Sequence, residues 1–289
     1  MSTQSTIINK KYLDTMYNAG TASGQLVLTR IKDLWWDNYL KAFRKDPDHA
    51  INNLDLCMDA GANKLRKLAS KYSLSQGAKK GSPRFIQQVN QFLKSNTGKM
   101  FERFIGLAIA HYLKEKDASY CVWPFRADLK DIYSYLEKGK FEVITRLGPN
   151  KYTIAVDADL IIFNPDNQDA DFFMISVKST LKDRFHGVPF WNLLRLASLK
   201  KTPPTLSAAQ PKFLKKAKYI AICSDLAKEQ PDFSRSSGAR NLLCLDAALL
   251  DGAYVSASRA KGLGTGKIHL GVNRVAPFFP LNRFVKDLI

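Results

Sequence analysis

Within its 289 residues the chain has no run of the roughly 20 apolar residues a helix needs to cross a bilayer, so no membrane partner is expected. The opening residues, MSTQSTIINKKYLD, lack the basic-then-apolar order of a signal peptide. Cysteine is scarce: Cys57, Cys121, Cys223 and Cys244 form no CxxC pair and keep no metal-ligand spacing with histidine. That argues against zinc and against a disulfide framework, and free thiols fit a reducing cytoplasm, the expected location. The four histidines (His49, His111, His186 and His269) make neither an HExxH nor an HNH-like pattern. A phosphate loop is missing as well. In KGLGTGK (261–267), Lys261 stands where GxxxxGK needs its first glycine, and Ile268 stands where Ser or Thr must follow. The largest deficit is of acid: 26 Asp and Glu face 44 Lys and Arg, a net charge of +18. A field of that sign and size fits nucleic acid or an anionic membrane surface, beside the plainer reading of a soluble protein that is merely basic.

What the chain does have is 45% apolar and 11% aromatic residues, enough for a substantial core. The first hundred residues carry helical periodicity. A helix is expected over 31–40, stopped at Asp46-Pro47-Asp48, and a second over 50–72. The basic, Gly/Ser/Pro-broken stretch 75–84 reads as a loop, and helices follow at 84–95 and, after Asn96-Thr97-Gly98, at 99–115. From about 118 the texture becomes strand-like: YCVWPF, FEVITRL, and YTIAVDADLIIF (152–163) as one strand. NPDNQDAD is a polar turn, and FFMISVK is the partner strand. A helix over 188–201, a buried strand over 218–225 and a strand with a helix within 241–255 complete the pattern, while 256–289 has little periodicity. The expectation is a helical region (1–95) for DNA binding or dimerisation, an α/β core with a mixed sheet (96–255), and a basic extension of the same domain (256–289).

Alternate strand residues share a face, which in 152–163 puts Asp157 and Asp159 together, and in FFMISVK puts Ser176 and Lys178 together. If the two strands pair as a hairpin, the acids and the Ser/Lys pair meet on one surface. A charge inside an apolar strand is costly unless a cation or hydrogen bonds satisfy it, so two adjacent strands carrying such charges suggest a site. Phosphodiester hydrolysis suits it: a carboxylate holds Mg²⁺ against the scissile phosphate, and the lysine ammonium assists the attacking water or the developing charge.

Asp159-Leu160-Ile161-Ile162, a turn, then Ser176-Val177-Lys178, with 19 residues from Asp159 to Lys178, resembles the PD-(D/E)xK nuclease superfamily. The run Lys178-Ser-Thr-Leu-Lys182-Asp-Arg184 is similar to the segment after the catalytic lysine in many type II restriction endonucleases. The resemblance covers about 95–255. It implies a restriction-endonuclease-like fold, a mixed sheet flanked by helices, with Asp159 and Lys178 catalytic and the Val177 main-chain carbonyl as a further Mg²⁺ ligand, one or two ions per site. Ser176 stands where the family has its second acid, either as a small residue at a tight place or in water-mediated contact with metal. Glu102, on the helix 99–115, is the candidate replacement, either as a ligand or as an ordinary helix-start acid. Asp157 is the alternative ligand to Asp159. Lys182 and Arg184 match basic positions that contact DNA, and His186 lies close to them; Lys79, Lys80, Arg259, Lys261 and Lys267 are either phosphate contacts or solvated charge.

The function this implies is an endodeoxyribonuclease of the type II restriction kind, Mg²⁺-dependent and acting on double-stranded DNA. Symmetric sites favour a homodimer, and a cognate DNA methyltransferase would be its functional partner. Two other readings stand beside it: a structure-specific repair or recombination nuclease, and a DNA-binding module of the same fold whose catalytic site is lost.

Overall fold

The computed structural model describes residues 4–18, 32–125, 136, 138–178, 187–224, 246–256 and 278–289. The fold is mixed α/β, as expected. Among the described residues the main sheet has six strands in the order β1 (Cys121–Pro124), β4 (Leu160–Phe163), β5 (Phe172–Lys178), β7 (Ala217–Cys223), β8 (Gly252–Val255) and β9 (Phe278–Pro280). β1, β4 and β5 are antiparallel neighbours, whereas β5, β7, β8 and β9 run parallel. The middle strands, FFMISVK and AKYIAIC, are almost wholly buried, as parallel strands covered on both faces must be. A smaller sheet joins β3 (Asn150–Ala155), β2 (Glu142–Leu147) and β6 (Leu206–Ala208).

One face of the main sheet is covered by α1 (Gln4–Asn18), α5 (Pro83–Glu115) and the C-terminal helix α8 (Leu281–Lys286), whose Phe284 lies edge-on to Phe173. Close approach of α5 depends on Gly106, where a Cβ would collide with Tyr12 and come within 3.2 Å of Leu160. On the other face Phe172 meets Phe141, and stacks at 4.7 Å on Phe213 from the short helix α7 (Pro211–Leu214). One hydrophobic cluster runs from Ile8 to Leu288, and Trp35 and Trp36 lie inside it as core residues.

Several elements depart from the sequence reading. The helices expected at 84–95 and 99–115 are one 33-residue helix, α5, which crosses residue 95. Asn96 does not break it, because its side-chain amide donates back to Phe92 O at 2.8 Å within the turn. Ser82 caps its start by accepting from Phe85 N, and Pro83 fills a first-turn position that needs no donor. α5 pairs antiparallel with α4 (Leu54–Ser75), which follows α2 (Asp37–Lys45) and α3 (Pro47–Asn52). The single strand expected at 152–163 is two strands in different sheets, joined by a stretch at Val156–Ala158 that belongs to neither. The tail also holds more structure than its composition suggests, in β9 and α8.

Helix α6 (Val188–Lys200) forms where expected and packs Trp191, Leu194, Ala197 and Leu199 against the core, but the centre of its buried face is polar. It buries Asn192, Arg195 and Ser198, and exposes Phe190, Leu193 and Leu196 at 54%, 43% and 37%. Arg195 explains this: its guanidinium donates to Ala217 O (2.6 Å), Asp251 Oδ2 (2.8 Å) and Asn192 Oδ1 (2.8 Å). Asn192 donates in turn to Leu249 O. Each nitrogen of the buried guanidinium thus donates to an oxygen, as its burial demands.

Candidate active site

The parallel strands end together at one edge of the sheet, where loops after the carboxyl ends of such strands form binding crevices. Lys178 is the last residue of β5, and antiparallel pairing brings the start of β4 beside it. Asp159 donates its backbone N–H to Ile175 O at 2.8 Å, and the chain before it then leaves the ladder. The amide that would lose its partner, Val177 N, is taken by the Asp159 carboxylate at 2.7 Å. A side-chain oxygen thereby replaces a strand carbonyl at the point where β4 begins.

The same Oδ2 accepts from Lys178 Nζ at 3.0 Å and lies 3.5 Å from Ser176 Oγ. Lys178 Nζ also donates to Val177 O at 3.2 Å. Asp159 is only 6% exposed, so its charge is supported by an ammonium and an amide rather than by bulk water. The hairpin therefore brings together Asp159, Ser176, Lys178 and the Val177 main chain, as the sequence reading expected. It does not bring Asp157 with them. Asp157 is exposed, and what anchors it is its main-chain carbonyl, which accepts the phenolic hydroxyl of Tyr219 on β7. Burial first, then the charges of Asp157 and Asp159, raises the Tyr219 pKa and keeps that hydroxyl a donor. Sequence reasoning missed Tyr219, which lies 62 residues from Asp157 within an ordinary buried strand.

Glu102 stands at the same end of the sheet. α5 ends at Glu115, from which a short turn leads to Cys121, paired with Phe163 at the far end of β4. Gly106 packs on Leu160 at the near end, so Glu102, one turn earlier on the same helical face, reaches the level of Asp159. It is half-buried, and its charge is felt by Tyr12, whose phenol is raised by burial first and by Glu102 second. Among the described residues no three Asp, Glu, His or Cys side chains gather around a single cation position. Asp159 Oδ2 and Val177 O both accept from the Lys178 ammonium.

Lys79 and Lys80 are exposed in the turn between α4 and α5. Lys182, Arg184, His186, Arg259, Lys261 and Lys267 lie outside the described residues. Searches against protein-family models and against curated proteins find no match to the chain.

Proposed function

We propose that the protein is a Mg²⁺-dependent endodeoxyribonuclease of the type II restriction kind, with a restriction-endonuclease-like core, cutting both strands of duplex DNA at specific sites. The observation that carries this reading is the Lys178 ammonium, 3.0 Å from a buried Asp159 carboxylate at the carboxyl end of a mixed sheet. Asp159 and the Val177 carbonyl would hold the ion, with Glu102 as a further carboxylate from α5. When bound, Mg²⁺ supplies positive charge at the scissile phosphate and makes water a better nucleophile. Lys178 orients that water and stabilises charge developing on the phosphate oxygens. The Val177 amide holds the Asp159 carboxylate in place, and Tyr219 holds the segment leading to it.

A second reading, a DNA-binding module of this fold that no longer cuts, is favoured by Ser176 at the place of an acid and by the absence of a three-carboxylate group among the described residues. Incubation with long duplex DNA separates the two. The nuclease reading expects discrete fragments with Mg²⁺ and none when Lys178 is replaced by Ala; binding without cleavage in any divalent ion supports the second reading. Branched substrates cut without sequence preference would point to a repair nuclease.

A second copy of the chain is the expected partner. The α6 stripe of Phe190, Leu193 and Leu196 suits it, because over 188–199 this helix has no charged residue but the buried Arg195. Two chains of +18 can meet there without opposing like charges, and an apolar stripe is complementary to itself about a two-fold axis.

A further inference from the structure

Between Asp59 and Glu102 the sequence contains no acidic residue at all, although it carries nine Lys and Arg. All nine, from Lys64 to Lys99, are exposed. This stretch is the distal part of the α4–α5 helix pair. Its burial pattern marks it as an arm: in α5 the buried residues run from Met100 to Leu113, and none lies between Pro83 and Lys99. In α4 the base is buried through Gly61, after which only Leu65, Ala69 and Ser73 are, one turn apart along the seam with α5. Ser73 Oγ donates to Gln88 Oε1 at 2.9 Å, and Tyr72 lies 5.1 Å from Phe92, so the two helices hold each other as far as the tip.

The arm leaves the molecule at the candidate active-site end. Two anchors fix its direction. Leu54 N, at the start of α4, donates to the hydroxyl of Ser256, just past the carboxyl end of β8. Gly106 of α5 packs on Leu160, beside Asp159. From Met100 back to Pro83 the helix extends roughly 25 Å further, at about 1.5 Å per residue.

We infer that the α4–α5 hairpin is an arm that lies along the phosphate backbone of duplex DNA flanking the cut site. The choice of duplex DNA rests on the nuclease reading; the charge and direction of the arm do not. A purely basic surface of this length matches a polymer carrying one charge per about 1.7 Å of helix axis, and such contacts add affinity without selecting sequence. They should dominate the salt dependence of binding.

The test is equilibrium binding of the full chain to a mixed-sequence DNA duplex without divalent ion, over a salt series. Replacing Lys71, Lys79, Lys80 and Arg84 together by Gln should make the slope of log K against log salt shallower by about 3 to 4. Between about 50 and 200 mM salt the variant would then lose roughly a hundredfold less affinity than the parent. A control, Lys114→Gln with Lys116→Gln at the opposite end of α5, should keep the parental slope. A four-site variant with the parental slope, or a parent that binds phosphatidylserine vesicles and not duplex, overturns the inference. If the slopes differ as expected but no substrate is cut with Mg²⁺, the arm stands and the nuclease reading falls.

Discussion

Lys178 and Asp159 make a pair whose energetics can be bounded from its geometry. The side chains are 25% and 7% exposed, with 3.0 Å between Nζ and Oδ2. Exposed pairs couple by at most about 1 kcal/mol, and removing one partner of a fully buried pair costs about 3–5 kcal/mol. This half-shielded pair falls between, at about 1.5–3 kcal/mol. Lys178→Met removes the charge and keeps most of the stem; Asp159→Asn keeps the shape and can still accept from Val177 N. Urea unfolding of the parent, both single variants and the double variant then yields the coupling directly, provided the m-values agree. A coupling below about 0.5 kcal/mol would refute the claim that this ammonium is held over the carboxylate.

The same four proteins test the chemistry. If the two groups act as one unit, each single variant and the double should fall to a common low cleavage rate, about 10²–10⁴-fold down, with duplex binding retained. A purely structural pair would instead lower the melting temperature, by about 2–4 °C per kcal/mol for a domain of this size, and leave the rate of the folded fraction unchanged.

Tyr219→Phe leaves the part-buried Asp157 carbonyl without its donor and should cost about 1 kcal/mol, with a fall in kcat and no change in duplex affinity; an unaltered kcat would remove Tyr219 from the site. His111 is enclosed by Trp36, Tyr39 and Phe43, and burial holds its pKa below the usual 6.5. The unfolded chain therefore takes up a proton below about pH 6.5 that the folded chain refuses, so this contribution is complete above that pH and lost as pH falls. His111→Phe should flatten the acid limb of the stability curve by at most about 1.4 kcal/mol per pH unit, read from urea midpoints across pH, and an unchanged limb would contradict the assignment. Leu193→Glu should give a monomer by sedimentation and convert double-strand cuts to nicks; a parent chain already monomeric at working concentration excludes the α6 interface.

Local periodicity was sufficient for β2, β5, β7 and α6, because each element is short, bounded by turn residues and rich in the residue types its geometry favours. It failed at residues 152–163, where alternation continues through Asp157 and Asp159 although the chain changes sheets. The change depends on Val177 N and Tyr219, neither of which is nearby in sequence. The Asn96-Thr97-Gly98 stretch fails in the opposite sense. Three weak helix formers suggest a boundary, but pairing with α4 keeps the helix continuous, and tertiary packing outweighs roughly 1 kcal/mol of glycine propensity.

The hairpin of the candidate site was legible for a reason that does not extend to its surroundings. Asp159 immediately precedes β4 and Lys178 ends β5, and the two antiparallel strands are joined by a polar turn, so hairpin pairing predicts that they meet. Helix α6 shows where such inference stops. Its apolar residues set a clear helical period, and the usual inference would turn Phe190, Leu193 and Leu196 inward. The face is decided instead by Arg195, whose partners Ala217 and Asp251 lie 22 and 56 residues away. Once a guanidinium has a buried carbonyl and a partly exposed carboxylate beside it, burying it with Asn192 satisfies these acceptors, which leucines could not do. Hydrophobic period thus identifies the helix, but the partners of its polar residues determine which side faces the core. The apolar side left outside, Phe190, Leu193 and Leu196, is the surface on which a second copy is proposed to sit.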